Sequence, residues 1–228
     1  MSLLSFKMQF LYNQNAGQNE ILLKNEEFNH LKVRRVKLNQ SLNLRNLNDD
    51  FLYIYKIDAL KRNGCVLTLL EKRLTTKSKH RKIALAMGII EPKSVEKILP
   101  FLNELGLDKL IFVLTAFSQR NFKLDFERLK RILISSCEQC GRADLMQFEC
   151  FDSSKDFAKA YPNAVMVDFS AKNDDLSDLS EKDILFIGAE GGFNDEERKL
   201  FQRKIRLKSP YILKSQNAIL ALTAKILL

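Results

Sequence analysis

The stretch that most constrains the fold is 183–197, Asp-Ile-Leu-Phe-Ile-Gly-Ala-Glu-Gly-Gly-Phe-Asn-Asp-Glu-Glu. Its apolar part, 184–187, is typical of a short buried strand. The loop that follows contains three glycines, which tolerate positive φ and let backbone approach a ligand closely: Gly188, Gly191 and Gly192. Asn194 can then cap a helix whose acidic first turn suits the helix dipole. Strand, glycine loop and capped helix predict an α/β protein with a small-molecule site at the carboxyl edge of its sheet.

The residues of this loop also indicate which ligands it does not hold. Neither Gly-Lys-Ser/Thr nor Gly-x-Gly-x-x-Gly is present, so the stretch is neither a P-loop nor a dinucleotide fingerprint. Glu190 and the three carboxylates of the first helical turn would repel a phosphate at that helix end. A cationic or neutral ligand with an adenine fits better. The alternative is that the glycines only form a tight turn, and the residues alone leave both open.

Length and composition narrow the class of protein. The 228 residues fit one large or two modest domains, and 46% of them are apolar, which is enough for a packed core. No apolar run approaches the roughly 18 residues of a membrane span. The N-terminus lacks the features of a secretory signal, so we expect a cytoplasmic protein.

Charge and cysteine content bear on partners and metals. The net charge of +9 favours a polyanionic partner, although many soluble proteins are simply basic. The four cysteines do not form a disulfide framework in a chain of this size. Cys137 and Cys140 have metal-like spacing, but no second pair supports them and the chain has only two histidines, so we expect no metal.

The first 70 residues are predicted to be rich in β-structure and to form a small barrel, because short apolar segments alternate with Asn-rich turns. The predicted strands are 8–12, 20–23, 41–44, 51–57 and 66–70, with a short helix opening at Asn25. Residues 71–82 are polar and strongly basic, which predicts a link between domains. Two basic groups are candidates for RNA-phosphate contact or, alternatively, solvated surface: Lys32, Arg34, Arg35 and Lys37 near the helix, and Arg73, Lys77, Lys79 and Arg81 in the link.

Strands and helices alternate in residues 83–228, which predicts an α/β domain with a mostly parallel sheet. The predicted strands are 83–87, 110–114, 147–151, 165–169 and 184–187. Helices are predicted over 92–105, ended by Gly106, and over 125–140. Ser215 or Asn217 is expected to cap a last helix that is apolar nearly all round, so this helix must be buried in the core or against another subunit.

Together these motifs resemble the RsmE family of SPOUT methyltransferases. Gly188-Ala-Glu-Gly-Gly-Phe193 is similar to the family's G-P-E-G-G-F/L loop, and His30-Leu-Lys-Val-Arg-Arg-Val-Lys37 to its H-L-x-V-L-R-x-K segment. Ser118-Gln-Arg120 and Cys137-Glu-Gln-Cys-Gly-Arg142 resemble S-E-R and A-x-E-Q-S/C-x-R, and Asn103-Glu-Leu-Gly106 matches a T-E-L-G helix end. The resemblance covers nearly the whole chain in the right order.

The resemblance implies a PUA-like RNA-binding barrel over 1–70, a basic linker over 71–82, and a SPOUT methyltransferase domain with a trefoil knot over 83–228. It implies a cytoplasmic homodimer that uses S-adenosylmethionine to methylate N3 of a uridine in 16S rRNA of the small ribosomal subunit. The cofactor-binding residues that it implies are Leu114, Thr115, Gly188, Ala189, Glu190, Gly191, Gly192, Leu213, Ser215, Asn217 and Ala218. Arg142 and then Arg120 are the candidates for stabilising the uridine anion, and Glu190 for orienting the base.

The chain departs from the family in its last motif, L-G-x-R-I-L-R-x-E-T-A. Tyr211 and Lys214 stand in place of the two arginines, and Gln216 and Asn217 in place of Glu and Thr. Lysine keeps the charge but loses the bidentate fork of arginine. Two alternatives therefore stay open: a SPOUT methyltransferase acting on another RNA, and a non-catalytic RNA-binding protein on a decayed methyltransferase fold.

Overall fold

The structure is a computed structural model that describes residues 9–33, 35–75, 82–172 and 183–228. These residues form two compact units, the first made of residues 9–75 with Ile134–Leu145 and the second of residues 82–133 with Met146–Leu228. The elements of the first unit up to residue 75 are β1 (Leu11–Tyr12), β2 (Glu20–Lys24), α1 (Asn25–Val33), β3 (Ser41–Arg45), β4 (Phe51–Lys61) and β5 (Gly64–Leu74).

The strands of the first unit form one five-stranded sheet in the order β1-β3-β4-β5-β2. The pairing of β1 with β3 is parallel and the other pairings are antiparallel. In β2, residues that face the core alternate with exposed ones, as expected for a sheet with one buried face. The core contains Tyr55, whose hydroxyl donates to the carbonyl of Gln18 at 2.6 Å, so this buried ring leaves no polar atom unpaired. The predicted β-rich unit is confirmed.

A later segment of the chain completes the first unit. The amide of Gln9 donates to the Glu138 carbonyl at 2.8 Å, and the amide of Tyr12 donates to the Glu138 carboxylate at 2.7 Å. Cys137 is fully buried in an apolar cluster with Phe10 and Leu47. The first of the two Cys-x-x-Cys thiols is therefore a core side chain. The part of the chain that the structure describes contains no group of three His, Cys, Asp or Glu residues able to hold a metal ion.

The second unit alternates strands and helices. The longest helix, α3 (Phe126–Cys140), belongs to this unit only as far as Leu133. Its elements are β6 (Ala84–Gly88), α2 (Pro92–Leu105), β7 (Lys109–Val113), α3 (Phe126–Cys140, continuing into the first unit), β8 (Gln147–Phe151), α4 (Ser154–Ala160), β9 (Val165–Val167), β10 (Leu185–Ile187), α5 (Asp195–Leu200), β11 (Arg203–Ile205) and α6 (Ser215–Leu227).

The six strands of the second unit form a parallel sheet in the order β11-β9-β10-β6-β7-β8. β10 lies near the centre of this sheet, and all three of its residues are buried, as the apolar run predicts. Phe186 packs against Phe157 and Phe193, with ring centroids 4.7 and 4.8 Å apart. The sheet thus fixes where the chain leaves β10, at the start of the glycine loop. The prediction of an α/β unit with a parallel sheet is confirmed.

Local signals place two helix ends as predicted. Gly106 ends α2 in the left-handed conformation, with φ of 95°, and Pro92 lies in its first turn. Asn194 caps α5 through a reciprocal capping box with Glu197. No helix among the described residues is long and apolar enough to cross a membrane.

Four predictions need correction. β1 begins at Leu11, so residues 9 and 10 of the predicted strand 8–12 precede the strand. β5 continues to Leu74 and pairs with β4 there, so residues 71–74 are strand and not the start of a link. β9 ends at Val167, two residues earlier than predicted, which leaves Asp168 and Phe169 in the loop after it. The residue at the cap of α6 is Lys214, whose ammonium group has no acceptor for a capping bond, and the Ser215 hydroxyl donates to the Gly188 carbonyl.

Candidate cofactor and active site

A cleft of about 500 Å³ opens at the carboxyl ends of three adjacent strands, β11, β9 and β10. Parallel strands place the loops that follow them at one edge of the sheet, so segments far apart in the chain meet there. The cleft is lined by Val167 and Phe169 after β9, by Ile187, Gly188, Ala189, Glu190 and Gly192 after β10, by residues 206–213 after β11, and by Ser215 and Ala218 of α6.

The glycine loop forms one wall of the cleft, and its shape needs two of its glycines. A Cβ on Gly188 would lie 2.7 Å from the carbonyl carbon and oxygen of Gly192, too close for any side chain. Gly192 has φ of +73°, which side chains other than glycine rarely adopt, and its amide donates to the Ala189 carbonyl at 2.8 Å. Backbone groups therefore form this wall, as expected for a site that holds a ligand through its main chain.

A buried carboxylate fixes the glycine loop against its neighbours. Glu197 is 7% exposed, and one of its oxygens accepts from the Ala116 amide at 2.9 Å and from the Ser154 hydroxyl at 2.5 Å. The other oxygen accepts from the Asn194 amide at 3.1 Å, and the Asn194 side chain accepts from the Glu197 amide at 2.8 Å. One side chain thus joins the loop after β7, the start of α4 and the end of the glycine loop.

Residues 206–213, called the strap below, form the opposite wall and differ from the glycine loop in exposure. Tyr211 is 81% exposed and Ile212 86%, although both line the cleft. Where the strap joins α6, the buried Ser215 hydroxyl donates to the Gly188 carbonyl at 2.7 Å. This bond ties the two walls together at the inner end of the cleft.

A buried ion pair supports the loop between β9 and the cleft. The carboxylate of Asp168, whose side chain is 1% exposed, accepts from Arg198 at 2.8 Å and from the Ser170 amide at 2.8 Å. Burial would raise the pKa of Asp168, but the hydrogen bonds from Ser170 and Arg198 outweigh it and lower that pKa. The carboxylate is therefore charged near neutral pH and holds the loop that carries Phe169.

The structure brings together most of the residues expected to bind a cofactor. Those that line the cleft are Gly188, Ala189, Glu190, Gly192, Leu213, Ser215 and Ala218. Gly191 is directed elsewhere, since a Cβ there would lie 2.9 Å from the Phe117 side chain. Leu114, Thr115 and Asn217 do not line the cleft either. Thr115 is buried in a turn where its hydroxyl lies 3.0 Å from that of Ser118.

Sequence reasoning missed the rest of the lining. Phe169 and Ile187 end two of the predicted strands and Val167 lies two residues before the end of the first, so the carboxyl-edge rule could have included them. Residues 206–212 had no such signal, because β11 is only three residues long and contains two basic side chains. The strap is therefore the main unexpected part of the cleft.

The three candidate catalytic residues occupy different environments. Glu190 is exposed and lines the cleft. Arg120 is exposed in the turn after Ser118 and does not line it. Arg142 belongs to the first unit, where its side chain is 8% exposed and its Nε lies 3.1 Å from Asp144. Their roles stay predictions.

The candidate RNA-contacting residues of the first unit that the structure describes lie on its surface. Lys32, Arg35 and Lys37 are exposed at the end of α1 and in the turn after it. Arg73 is exposed on β5 and forms a two-pronged contact with Glu71, at 3.0 and 3.1 Å, which partly neutralises its charge. Arg34, Lys77, Lys79 and Arg81 lie outside the described residues.

Comparisons with known proteins agree along the chain. A family described as an RNA methyltransferase domain matches residues 77–227, and one described as an RNA methyltransferase PUA domain matches residues 23–70. The chain is 42% identical over 217 residues to the ribosomal RNA small subunit methyltransferase E of Helicobacter pylori strain 26695, covering 92% of this chain and 96% of that protein. This chain belongs to the RsmE family.

More distant RsmE proteins and solved structures show how far the family fold extends. The chain is 27% identical to the RsmE protein of Mesomycoplasma hyopneumoniae, covering 95% of this chain and 97% of that one. The structure matches that of the Neisseria gonorrhoeae enzyme bound to S-adenosylmethionine with a TM-score of 0.78, at 20% identity and 96% coverage of both chains. A Legionella pneumophila protein in complex with the same cofactor gives a TM-score of 0.79, at 22% identity, covering 96% of this chain and 98% of that one. The PUA-like and SPOUT architecture is confirmed.

Proposed function

We propose that this protein transfers a methyl group from S-adenosylmethionine to N3 of one uridine in 16S rRNA of the small ribosomal subunit. The observation that carries the proposal is the cleft between the glycine loop and the strap, in a chain of the RsmE family. The cleft could alternatively bind a phosphate group, but Glu190 in its lining and the acidic first turn of α5 would repel that group.

The residues of the cleft fit this cofactor. A volume of about 500 Å³ lies within the range of small-molecule sites, about 300–1,000 Å³. Ile187, Leu207 and Leu213 offer apolar contacts for an adenine ring, and the backbone of 188–192 offers donors and acceptors for its edge. Glu190 supplies negative charge beside a ligand that carries a positive one. S-adenosylmethionine, when bound, supplies an electrophilic methyl group on its sulfonium.

The remaining chemistry belongs to the side chains and the RNA. Uridine N3 carries a proton that must leave before or as the nitrogen attacks, so the protein must favour the uridine anion and hold its N3 in line with the methyl group. In our proposal Arg142, or alternatively Arg120, stabilises the negative charge on N3 and the flanking carbonyl oxygens. Glu190 orients the base from the cleft wall.

The proposal extends to partners. Lys32, Arg35 and Lys37 contact the RNA backbone in the cytoplasm, where the ribosomal substrate lies. The protein acts as a homodimer, and α6 supports this. One side of α6 packs into the second unit through Ile219 and Leu222. The half-buried Leu220, Ala224 and Leu227 follow one another at helical spacing and form a separate apolar stripe along α6. A second copy would cover that stripe.

Methyl transfer from labelled S-adenosylmethionine to small subunits purified from cells that lack this protein tests the proposal. The product is digested and mapped by mass. We expect label at one position, as N3-methyluridine. Label on a ribose or on another base, or label in transfer RNA and not in the subunits, would contradict the proposed substrate. Retained cofactor binding without any transfer would point to another RNA or to another state of the substrate. Loss of both transfer and cofactor binding would favour a non-catalytic RNA-binding protein.

Arg142→Ala separates the proposed roles within this assay. It should lower the transfer rate by roughly 100-fold or more, because one donor to a developing anion contributes on the order of 10² to 10³ in rate. The dissociation constant of S-adenosylmethionine should stay within about twofold of wild type. Arg120→Ala is the matched comparison, and a larger loss there would exchange the two roles.

A further inference from the structure

The strap carries a ring that the cofactor site does not account for. Tyr211 lines the cleft yet is 81% exposed, and Phe169 on the neighbouring loop is 68% exposed. Single exposed apolar side chains are ordinary on protein surfaces. Two exposed aromatic rings lining one cleft are a different case, since large flat side chains favour contact with a flat partner.

The backbone beneath Tyr211 is held although its ring is exposed. The Tyr211 amide donates to the Ser209 hydroxyl at 3.2 Å, and that hydroxyl donates to the Tyr211 carbonyl at 2.8 Å. Pro210 between them restricts its own φ and the conformation of Ser209. The ring is therefore presented from a locally stiff turn, so a partner that contacts it orders little additional chain.

The second substrate of the proposed reaction needs such a surface. A uridine whose N3 is to be methylated must leave its base stack, and it loses stacking energy when it does so. An aromatic side chain beside the cofactor cleft replaces part of that stacking, and every base has a face that can use it. The glycine loop has no side chain able to do this, whereas the strap has Tyr211.

The composition of the strap fits the same role. Arg206 and Lys208 also line the cleft, so positive charge is present on this wall for the RNA backbone. Arginine stands at the position of Tyr211 in the motif that this segment resembles, and guanidinium planes also stack on bases. Tyrosine keeps the flat face and gives up the charge.

The geometry points to Tyr211 as the residue that stacks on the target base, with N3 of that base facing the methyl group. This inference rests on the methyl-transfer function proposed above. It adds a substrate-contacting residue on the strap, and its contribution is to RNA recognition and base orientation, not to cofactor affinity.

Substitutions of Tyr211 measure the ring directly. Tyr211→Ala should lower kcat/KM for the RNA by roughly 10- to 100-fold, the effect of removing one base–aromatic stack, while the dissociation constant of S-adenosylmethionine stays within about twofold. Tyr211→Phe keeps the ring and should stay within about threefold of wild type. An equal loss in Tyr211→Phe would make the hydroxyl the important group and would overturn stacking.

Fluorescence provides a readout that does not depend on turnover. The sequence contains no tryptophan, so Tyr211→Trp introduces a single indole. Unmethylated small subunits, added with S-adenosylhomocysteine, should quench its emission. Phe101→Trp places the control indole at an exposed position of α2 outside the cleft, so its emission should change only through absorption of light by the RNA, and less than that of the indole at position 211. Absence of quenching at position 211 would contradict the inference.

Other outcomes separate this inference from the proposed function. If Tyr211→Ala loses cofactor affinity as strongly as kcat/KM, the ring belongs to the cofactor site and the inference is wrong. If it changes the sedimentation mass, the ring contacts a second copy, which also overturns it. If wild-type protein transfers no methyl group to the subunits, the proposed function fails, and the quenching experiment alone decides whether the ring stacks on a base.

Discussion

The two walls of the cleft are built in opposite ways. The glycine loop depends on backbone: Gly188 and Gly192 pack against each other, and the buried Glu197 holds the loop through three hydrogen bonds. The strap presents side chains to solvent, with Tyr211 and Ile212 more than four-fifths exposed. The first wall tolerates little change because a Cβ at Gly188 would collide with main chain, whereas the second can exchange side chains at little cost to the fold.

This difference explains where the chain departs from the RsmE motifs. The glycine loop differs from its motif only at Ala189, but the strap and the start of α6 differ at Tyr211, Lys214, Gln216 and Asn217. In the structure Lys214 and Asn217 are exposed and Gln216 is partly exposed, so none of these changes disturbs the core. A wall made of exposed side chains can change while the backbone wall stays.

The largest effect is expected from Gly188→Val. Its Cβ would lie 2.7 Å from the Gly192 backbone, so the loop must shift and the cofactor wall with it. Cofactor affinity should fall by more than roughly 100-fold, equivalent to about 3 kcal/mol. Titration calorimetry with S-adenosylmethionine measures this.

Gly191→Val is the matched control for that variant, because its Cβ would meet the Phe117 side chain and not the cleft. We expect it to keep cofactor binding better than Gly188→Val. A greater loss in Gly191→Val would show that the cofactor contacts the loop on the side where Phe117 lies.

Glu197→Ala should lower the free energy of unfolding by about 2–3 kcal/mol, because it removes a buried acceptor and leaves the buried Ser154 hydroxyl and the part-buried amides of Ala116 and Asn194 without their partner. Chemical denaturation measures the change. Glu196→Gln on the same helix removes only an exposed pair with Lys199 and should cost less than about 0.5 kcal/mol. Equal losses in the two variants would contradict a supporting role for Glu197.

Asp168→Asn should lower the free energy of unfolding near neutral pH by about 1–2 kcal/mol, since it removes the buried carboxylate and Arg198 loses its charged partner. The folded-state pKa of Asp168 is lowered, so its contribution is complete above the ordinary value of 3.8 and is lost as pH falls through the folded-state pKa. The difference between variant and wild type should therefore shrink below pH 3.8. A difference that stays constant down to strongly acidic pH would contradict the ion pair.

Lys37→Gln should have the smallest effect and should leave the cleft unchanged. Removing one phosphate contact lowers the slope of log affinity against log salt by about one and weakens RNA binding severalfold. Lys155→Gln, an exposed lysine on α4, removes the same charge from another surface. If both variants change the slope equally, net charge and not a contact at Lys37 governs the binding.

The sequence predicted the elements whose signals are local. The apolar run of β10, the glycine at the end of α2 and the capping residue of α5 each act over a few residues, so their prediction needed no tertiary information. The glycine loop could be placed for the same reason, since a strand, three glycines and an N-cap follow one another directly.

Longer-range features could not be predicted this way. The cleft joins residues between Val167 and Ala218, and the strap follows a strand of three residues with no apolar pattern. Ser215 looks like a helix cap in sequence, but its hydroxyl bonds to a glycine 27 positions away. No periodicity shows that Ile134–Leu145 completes the first unit. The trefoil knot was expected only from the resemblance, because the way a chain threads through its own fold has no local sequence signal.

The central claim is that the backbone of the glycine loop binds the cofactor while Tyr211 of the strap is left for the RNA base. A crystal structure of the protein with S-adenosylmethionine tests this claim most directly. We predict that the adenosyl group lies along the backbone of 188–192 with its far side against Leu213 and Ala218, and that the Tyr211 ring stays exposed beside the methyl group. A cofactor bound through the Tyr211 ring, or outside the cleft, would contradict this account.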